Sequence, residues 1–266
     1  MESIRVPAVL RYADGEVAEA ADELAREEPL EIRVRGRAVS VTMRTPGHDE
    51  ELAAGFLLTE GIVRGPRDVL RVEPCGRNED GNVLNVVLAP EVPVDFDRLT
   101  RHVFASSSCG LCGKATIDAV RSTFPRVESD LRIEANTLLR LPGQMRDAQA
   151  SFDRTGGLHA AALFDAAGKL LVLREDVGRH NAVDKVLGQA LSNGWLPLER
   201  HVLLVSGRSS FEIMQKALAG RVAVVAAVSA PSSLAAEFAR KSGQTLVGFL
   251  RAGRMNVYSH PERIRF

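Results

Sequence analysis

The stretch from Val202 to Val228, VLLVSGRSSFEIMQKALAGRVAVVAAV, decides the fold of this chain of 266 residues. It begins with a short apolar run, continues through a segment whose apolar residues recur at helical spacing, and ends with a second apolar run. Apolar runs without alternation are typical of central strands that are buried on both faces of a sheet. The order strand, helix, strand therefore predicts an α/β fold with parallel neighbouring strands.

The same alternation of strands and helices extends from residue 157 to near the C-terminus. It predicts a three-layer α/β sandwich around a largely parallel sheet. The predicted elements of this part are a hairpin of His159–Phe164 and Leu170–Leu173, helices at Arg179–Asn193, Ser210–Ala219 and Ser232–Ser242, and strands at Val202–Val205, Val222–Val228, Leu246–Leu250 and Met255–Tyr258.

The first hundred residues show a different pattern, which predicts a small α+β unit. Apolar residues alternate with polar ones on both sides of a glycine turn, and this period of two indicates a hairpin. Residues 90–97 contain prolines and little periodicity, so we expect a hinge there between domains at 1–100 and 101–266. The predicted elements of the first domain are strands at 30–34 and 39–43, a helix at Asp49–Glu60, and strands at Val69–Val72 and Val83–Leu88.

The composition is that of an ordinary globular protein, and it excludes several functional classes. Apolar residues make up 45% of the chain, and 34 basic side chains balance 34 acidic ones. This balance gives no reason to expect nucleic acid or membrane as a partner. No apolar stretch approaches the length of a membrane span, and the N-terminus has no secretory pattern. Three cysteines, an odd number, do not suit a secreted disulfide scaffold, so we expect a cytoplasmic protein.

Three loops that follow predicted strands share small or hydroxylated residues and open a helix. At such strand ends, helix N-termini offer unpaired N–H groups to anions, so the loops could together frame a phosphate-bearing ligand. Helix capping explains each single loop equally well, because serine and asparagine are preferred caps. Arg179 and Arg208 favour anion binding for the set. The three loops are Glu175–Asn181, Ser206–Ser210 and Ser229–Ser233.

The Cys109-Gly-Leu-Cys112 motif is the sharpest chemical feature of the sequence. A C-x-x-C pair can be half of a zinc site, a redox dithiol or a sulfur carrier. We expect no metal site, because the third cysteine is Cys75 and no second C-x-x-C or H-x₃-H motif is present. A thioredoxin-like dithiol would need a preceding strand of a βαβ unit, whereas a serine-rich loop precedes this pair.

The remaining interpretation is that the motif carries a nucleophilic thiolate. A helix predicted at 114–124 and the charge of Lys114 would favour the thiolate over the thiol. Glycines beside the cysteines suit a mobile loop that moves sulfur between two sites, although they would also suit a static turn. We expect Cys75 to pack as a small buried hydrophobe. His159 and His180 could contact a ligand or be structural.

Taken together, these motifs resemble the formate dehydrogenase accessory sulfurtransferases, the FdhD family. They occur in family order over most of the chain, and the first hundred residues contribute less. The matching motifs are Ser108-Cys-Gly-Leu-Cys-Gly113, Thr155-Gly-Gly-Leu-His159, Arg174-Glu-Asp-Val-Gly-Arg-His-Asn-Ala-Val-Asp-Lys185, Ser206-Gly-Arg-Ser-Ser210 with Glu212 and Lys216, Ser229-Ala-Pro231, Gly248-Phe-Leu-Arg251 and Asn256-Val-Tyr258.

The resemblance implies a fold, an activity and a set of site residues. The larger domain should resemble the cytidine deaminase fold, and the protein should be a homodimer. It should take sulfur from a cysteine desulfurase as a persulfide on Cys109, with Cys112 beside it. The acceptor should be the molybdenum or tungsten bis(molybdopterin guanine dinucleotide) cofactor of formate dehydrogenase, for which guanosine diphosphate is a surrogate. The implied cofactor-binding residues are Phe249, Leu250, Arg251, Ala252, Gly253 and Arg254.

Two alternative functions remain. A zinc-dependent deaminase would carry H-x-E followed by P-C-x-x-C, but Ser108 rather than proline precedes the cysteine pair here. A chaperone that only binds the cofactor and the apoenzyme would not need the Cys109 thiol.

Overall fold

The computed structural model describes residues 2–76, 81–96, 123–251 and 253–266. Its centre is a six-stranded sheet formed by β8 His159–Phe164, β9 Leu170–Asp176, β10 Val202–Val205, β11 Val224–Ala227, β12 Thr245–Arg251 and β13 Arg254–Ser259. The strands lie in the order β13-β12-β11-β10-β8-β9. The four residues of β10 and of β11 are all buried, as their continuous apolar sequence predicts.

The prediction of a largely parallel sheet is wrong. Only the pairs β10–β11 and β11–β12 are parallel, whereas β8–β9, β8–β10 and β12–β13 are antiparallel. The physical reason is the length of the connections. The β8–β9 and β12–β13 turns are too short for the crossover that a parallel pair needs. The strands themselves agree closely with the predicted ones.

Helices cover both faces of the central sheet, which confirms the three-layer sandwich. The helices α4 and α5 contact each other, and so do α5 and α6, on the face where right-handed crossovers place them. The helix α2 packs on β9 and β12 from the other face. The helices that follow residue 123 are α2 Ala135–Asp147, α3 Ala150–Thr155, α4 Arg179–Ser192, α5 Phe211–Ala219 and α6 Ser233–Ser242.

The N-terminal part combines a four-stranded sheet, in the order β4-β3-β6-β5, with one helix. Each of its predicted elements is present, and a long two-stranded hairpin that was not predicted precedes them. The elements are β1 Ser3–Ala13, β2 Glu16–Ala25, β3 Glu28–Val34, β4 Arg37–Arg44, α1 Asp49–Thr59, β5 Val69–Pro74 and β6 Val83–Leu88; a small parallel pair, β7 Ile133–Glu134 with β14 Ile264–Arg265, lies elsewhere.

One hydrophobic core joins the two parts of the chain. It includes α1 from the first hundred residues and α4 from the second part, and these helices make extensive contact. The predicted domain boundary near residue 100 lies outside the described residues. None of the described helices is long and apolar enough to cross a membrane.

Candidate functional site

The predicted sulfur-carrying residues Cys109 and Cys112, together with Lys114 and Ala252, lie outside the described residues. Cys75 follows β5 and is partly exposed, so the prediction that it is a buried hydrophobe is wrong. The reason is that β5 is the edge strand of the N-terminal sheet, where fewer neighbours cover a side chain. The other predicted site residues gather at one edge of the central sheet.

The three strand-end loops do meet, as the sequence analysis predicted. Ser209 of the second loop forms a parallel bridge with Pro231 of the third, and its carbonyl oxygen accepts a hydrogen bond from the Ser232 N–H at 3.0 Å. His180 Nε2 of the first loop lies 3.7 Å from Glu212 Oε2, just past the second loop. The carboxyl ends of the parallel strands therefore place all three loops at one edge.

A side-chain cap is present at the helix that follows the third loop, but the helices that follow the other two loops have none. The Ser232 side chain accepts a hydrogen bond from the Ala235 N–H at 3.1 Å and caps α6. At the N-cap of α5, the Ser210 side chain makes no such bond, and the N-cap of α4 is Gly178, which has no side chain to offer. The first turns of α4 and α5 therefore keep their N–H groups directed at the shared edge without a side-chain cap.

Some buried donors at this edge lack partners among the residues that the structure describes. Among them are Arg179 Nε and the hydroxyl of Ser209, a residue with 0% exposure. An unpaired buried donor costs stability, so a protein normally keeps one only where something else satisfies it. A guanidinium and a hydroxyl beside two helix N-termini form an arrangement suited to an anion.

Burial and the positive charge of Arg179 shift the pKa values of two titratable groups at this edge. Burial lowers the pKa of His159, and the positive charge of Arg179 lowers it further against the opposing effect of Asp176. Its imidazole is therefore neutral near pH 7. Burial acts to raise the pKa of Glu212, but the hydrogen bond from Ser210 and the neighbouring cations outweigh it, so the pKa is lowered and the carboxylate is ionised.

A buried ion pair stabilises the conformation of the first loop. Lys185 Nζ lies 2.7 Å from Asp176 Oδ2, and these residues are 1% and 0% exposed. The Asp176 carboxylate also accepts hydrogen bonds from the N–H groups of Gly178 and Thr45, at 2.8 and 3.2 Å. The lysine donates to the Thr45 carbonyl oxygen at 2.9 Å. These contacts fix the start of α4 against the N-terminal part of the chain.

A second buried pair acts in the same way deeper in the fold. Lys216 Nζ lies 2.7 Å from Asp184 Oδ2, and the Thr59 hydroxyl donates to Asp184 Oδ1 at 2.9 Å. Asp184 and Lys185 belong to one of the motifs that carry the family resemblance, and Lys216 belongs to another. The structure places them under the edge as supports of α4 and α5 and not on its surface.

The predicted cofactor-binding stretch lies beside the third loop. The Phe249 N–H donates to the Ser229 carbonyl oxygen at 3.0 Å, and Arg251 Nε donates to the Val228 carbonyl oxygen at 3.3 Å. Phe249 has a φ of 51°, so the backbone of β12 turns sharply at this position. Arg251 and Arg254 are exposed, whereas the Leu250 side chain is fully buried and could reach a ligand only through its backbone.

A pocket of about 500 Å³ opens on the same edge. Val228, which accepts the hydrogen bond from Arg251, is part of its wall, as are His159 and the Ser206–Gly207 backbone. The opposite wall comes from α2 and α3, neither of which was predicted. The pocket is lined by Pro142, Met145, Arg146, Gln149, Phe152, Gly156, Gly157, Leu158, His159, Ser206, Gly207 and Val228.

The H-x-E triplet of zinc deaminases does occur twice in this chain, at His48–Glu50 and at His260–Glu262. Neither triplet lies at the edge of the central sheet where the three strand-end loops meet, which we call the strand-end edge. His48 pairs with Glu51 at 3.3 Å at the start of α1, and His260 pairs with Glu262 at 3.0 Å after β13. Within the described ranges, no group of three or more His, Cys, Asp or Glu side chains could hold a metal ion.

Comparison with known proteins gives consistent relatives over the whole chain. The model of the FdhD/NarQ family matches residues 25–265. A sulfur carrier protein FdhD of Streptomyces coelicolor is 53% identical over 264 residues, which cover 96% of this chain and 94% of that protein. One of Mycobacterium tuberculosis is 55% identical over 254 residues, or 91% and 92%. A crystal structure described as a formate dehydrogenase accessory protein of Desulfotalea psychrophila superposes over 100% of both chains, with a TM-score of 0.80 and 25% identity.

Proposed function

The chain belongs to the FdhD/NarQ family, and on that premise we propose that it transfers sulfur from a cysteine desulfurase to the molybdenum bis(molybdopterin guanine dinucleotide) cofactor of formate dehydrogenase. Cys109 and Cys112 carry the sulfur, and the strand-end edge holds the cofactor. The protein acts in the cytoplasm as a homodimer. The curated relatives are named as sulfur carriers, which supports the first half of this proposal.

Cofactor binding, the second half of this proposal, is supported by the hydrogen-bond donors that lie together at the strand-end edge. Arg179 and Ser209 present buried unpaired donors there, and Arg251 reaches the same edge through its bond to Val228. A guanine dinucleotide carries diphosphates, and guanidinium groups bind phosphate oxygens bidentately. The sequence contains no G-x-x-x-x-G-K-[ST] loop, so we expect guanosine diphosphate to bind without turnover.

In the loading step, Cys109 receives sulfur when its thiolate attacks the sulfane sulfur of the donor persulfide. The Cys109 thiolate bonds to the terminal sulfur of the desulfurase persulfide, and the donor cysteine leaves as a thiolate. Delivery needs two electrons, because the sulfane sulfur must leave as hydrosulfide. Attack of the Cys112 thiolate on the inner sulfur of the Cys109 persulfide supplies them and leaves a disulfide. The hydrosulfide and one proton from solvent replace an oxo ligand of the metal, which leaves as water, and a cellular dithiol reduces the disulfide.

Labelled sulfur tests this proposal. The protein is loaded with radioactive sulfur from labelled cysteine by a cysteine desulfurase, separated from the donor, and mixed with sulfur-free cofactor and formate dehydrogenase apoenzyme. We expect label on the cofactor and active enzyme. If the enzyme becomes active while the label stays on the carrier, the protein is a cofactor chaperone and not a sulfurtransferase.

A further inference from the structure

The hairpin of β1 and β2, residues 3–25, forms an arm whose outer half is exposed throughout. At its base β2 contacts α3, where Arg154 Nε donates to Glu23 Oε1 at 2.9 Å. Beyond the base, every residue from 10 to 19 is exposed. A two-stranded hairpin in water is marginally stable by itself, so an outer half of this kind indicates that another surface covers it.

Three apolar side chains lie together on one face of the outer half. Tyr12 pairs with Val17 across the hairpin, and Leu10 lies two residues before Tyr12, so all three point to the same face. The exposed fractions of Leu10, Tyr12 and Val17 are 75%, 73% and 65%. Together they leave roughly 400 Å² in water, which is comparable to the largest apolar patch on a whole monomer. A patch of this size marks an interaction site.

The chemistry of the arm narrows the class of partner. Pro7 has no N–H, and the register shifts between Val6 and Val9, so both features hinder the addition of a further strand to β1. The outer half carries one basic and three acidic side chains, so an anionic lipid surface or a nucleic acid would repel it. The patch therefore fits an apolar protein surface. The four charged residues are Arg11, Asp14, Glu16 and Glu19.

The area of the patch favours a second copy of this chain as the partner. One arm docked in one direction buries roughly 400 Å² on each side, half of what each partner contributes to a standard interface. A two-fold exchange, in which each copy gives its arm and receives the other, buries that area twice on each copy. The 34 basic and 34 acidic side chains leave no net charge to oppose self-association.

An apolar surface that fits the arm lies on β4. Val41 and Met43 are each 45% exposed. They pair with Glu31 and Pro29, which flank the fully buried Leu30, so they lie on the face of the N-terminal sheet opposite to the core. The strand β4 is an edge of that sheet and is open to a neighbouring molecule. Within the described ranges, the other exposed large apolar side chains outside the arm lie singly on different elements.

We propose that two copies of this chain exchange arms, so that Leu10, Tyr12 and Val17 of each copy pack on the partner's Val41 and the partner's Met43. The inference rests on the proposed function, which includes a homodimer, and it adds the surface that joins the copies. Burial of the apolar side chains drives the association. Because the exchange is reciprocal, one substitution in the arm weakens both contacts.

Analytical ultracentrifugation of the full chain tests the exchange. The unmutated protein should be a dimer, and the triple variant Leu10→Ser, Tyr12→Ser, Val17→Thr should raise the dissociation constant by at least about 100-fold. Leu70→Ser is the matched control, since Leu70 is 60% exposed but lies on β5, at the opposite edge of the N-terminal sheet from β4. It should leave the dimer unchanged. Thermal unfolding checks that the variants fold.

A photo-crosslinking phenylalanine analogue in place of Tyr12 gives a second readout that does not depend on the triple variant. The chain that carries the analogue is mixed with unmodified chain labelled with heavy nitrogen, illuminated and digested with trypsin. The crosslink should join the arm to the heavy peptide of residues 38–44, which contains Val41 and Met43. The heavy label shows that this peptide comes from the second copy.

The outcomes separate this inference from the proposed function. A monomeric unmutated protein, an unchanged dissociation constant in a folded triple variant, or a crosslink to a different peptide would each overturn the exchange. Crosslinking only to added formate dehydrogenase apoenzyme would also overturn it, because the arm would then serve that partner. Loss of labelled sulfur transfer in a protein that dimerises through its arm would overturn the proposed function and leave this interface standing.

Discussion

Arg251 Nε donates a hydrogen bond to the carbonyl oxygen of Val228 at 3.3 Å. This contact joins the stretch that the family resemblance assigns to the cofactor with the wall of the pocket of about 500 Å³. The bond therefore brings together two features that are far apart in sequence.

Loss of either exposed arginine of this stretch should weaken nucleotide binding. A charge-assisted hydrogen bond contributes about 1.5–3 kcal/mol, so Arg251→Ala and Arg254→Ala should each weaken guanosine diphosphate binding by about 10- to 150-fold in calorimetry. Arg265→Ala is a matched control, because Arg265 is also an exposed arginine, but it pairs with Glu134 at 3.5 Å. If both variants bind like the unmutated protein, the phosphates are held at the strand-end loops instead.

The crossing of α1 and α4 leaves no room for a side chain. A Cβ built on Gly188 would lie 1.9 Å from the Glu51 carbonyl oxygen, and the clash is with backbone that cannot rotate away. We expect Gly188→Ala to lower the free energy of unfolding by roughly 1–3 kcal/mol or more in urea. Gly143→Ala in α2 is the control, since its Cβ would meet nothing within 4 Å. It should be neutral or stabilise by up to about 1 kcal/mol. Equal effects of the two substitutions would contradict this close packing.

Two half-buried histidines should make the fold sensitive to mild acid. Burial lowers the pKa of His159, with help from Arg179, and burial also lowers the pKa of His201, both from an ordinary 6.5. Below pH 6.5 the unfolded chain binds protons that the folded protein resists, so stability present above that pH is lost as the pH falls. The melting temperature should therefore drop between pH 7.5 and roughly pH 5, above the range where most carboxylates titrate. The double variant His159→Gln, His201→Gln should lose less on acidification; an equal drop would assign the effect to other groups.

Replacement of Cys112 should separate loading from delivery. Cys112→Ala retains the Cys109 nucleophile, so it should accept labelled sulfur at the normal rate. It lacks the thiolate that releases hydrosulfide, so transfer of the label to the cofactor should fall well below that of the unmutated protein. Normal transfer by this variant would mean that an external thiol releases the sulfur.

The central sheet and the three strand-end loops could be predicted because their signal is local. Continuous apolar residues at 202–205 and 224–227 require burial on both faces, and the serine and glycine residues that follow them mark the helix starts. The direction of the outer strands could not be predicted with the same ease. It depends on whether a turn or a helix connects two strands, and a turn as short as the one before β13 permits only an antiparallel pair.

The hairpin β1–β2 and the helices α2 and α3 were missed for two physical reasons. The β2 sequence, EVAEAADELA, is rich in residues that favour helices, and pairing with β1 overrides that preference. The helix α2 contains Pro142 and Gly143, which weaken a helical pattern. Because α2 and α3 form one wall of the pocket, the pocket itself could not be predicted from the sequence.

The most direct test of sulfur transfer is the intact mass of the protein after incubation with a cysteine desulfurase, cysteine and pyridoxal phosphate. The unmutated protein should gain one sulfur atom that a reductant removes, and so should Cys75→Ala, because Cys75 is not part of the C-x-x-C motif. Cys109→Ala should remain at its original mass while it keeps the melting temperature of the unmutated protein. A reductant-labile gain of sulfur by Cys109→Ala at the normal rate would contradict the account, because the sulfur would then be carried by another residue.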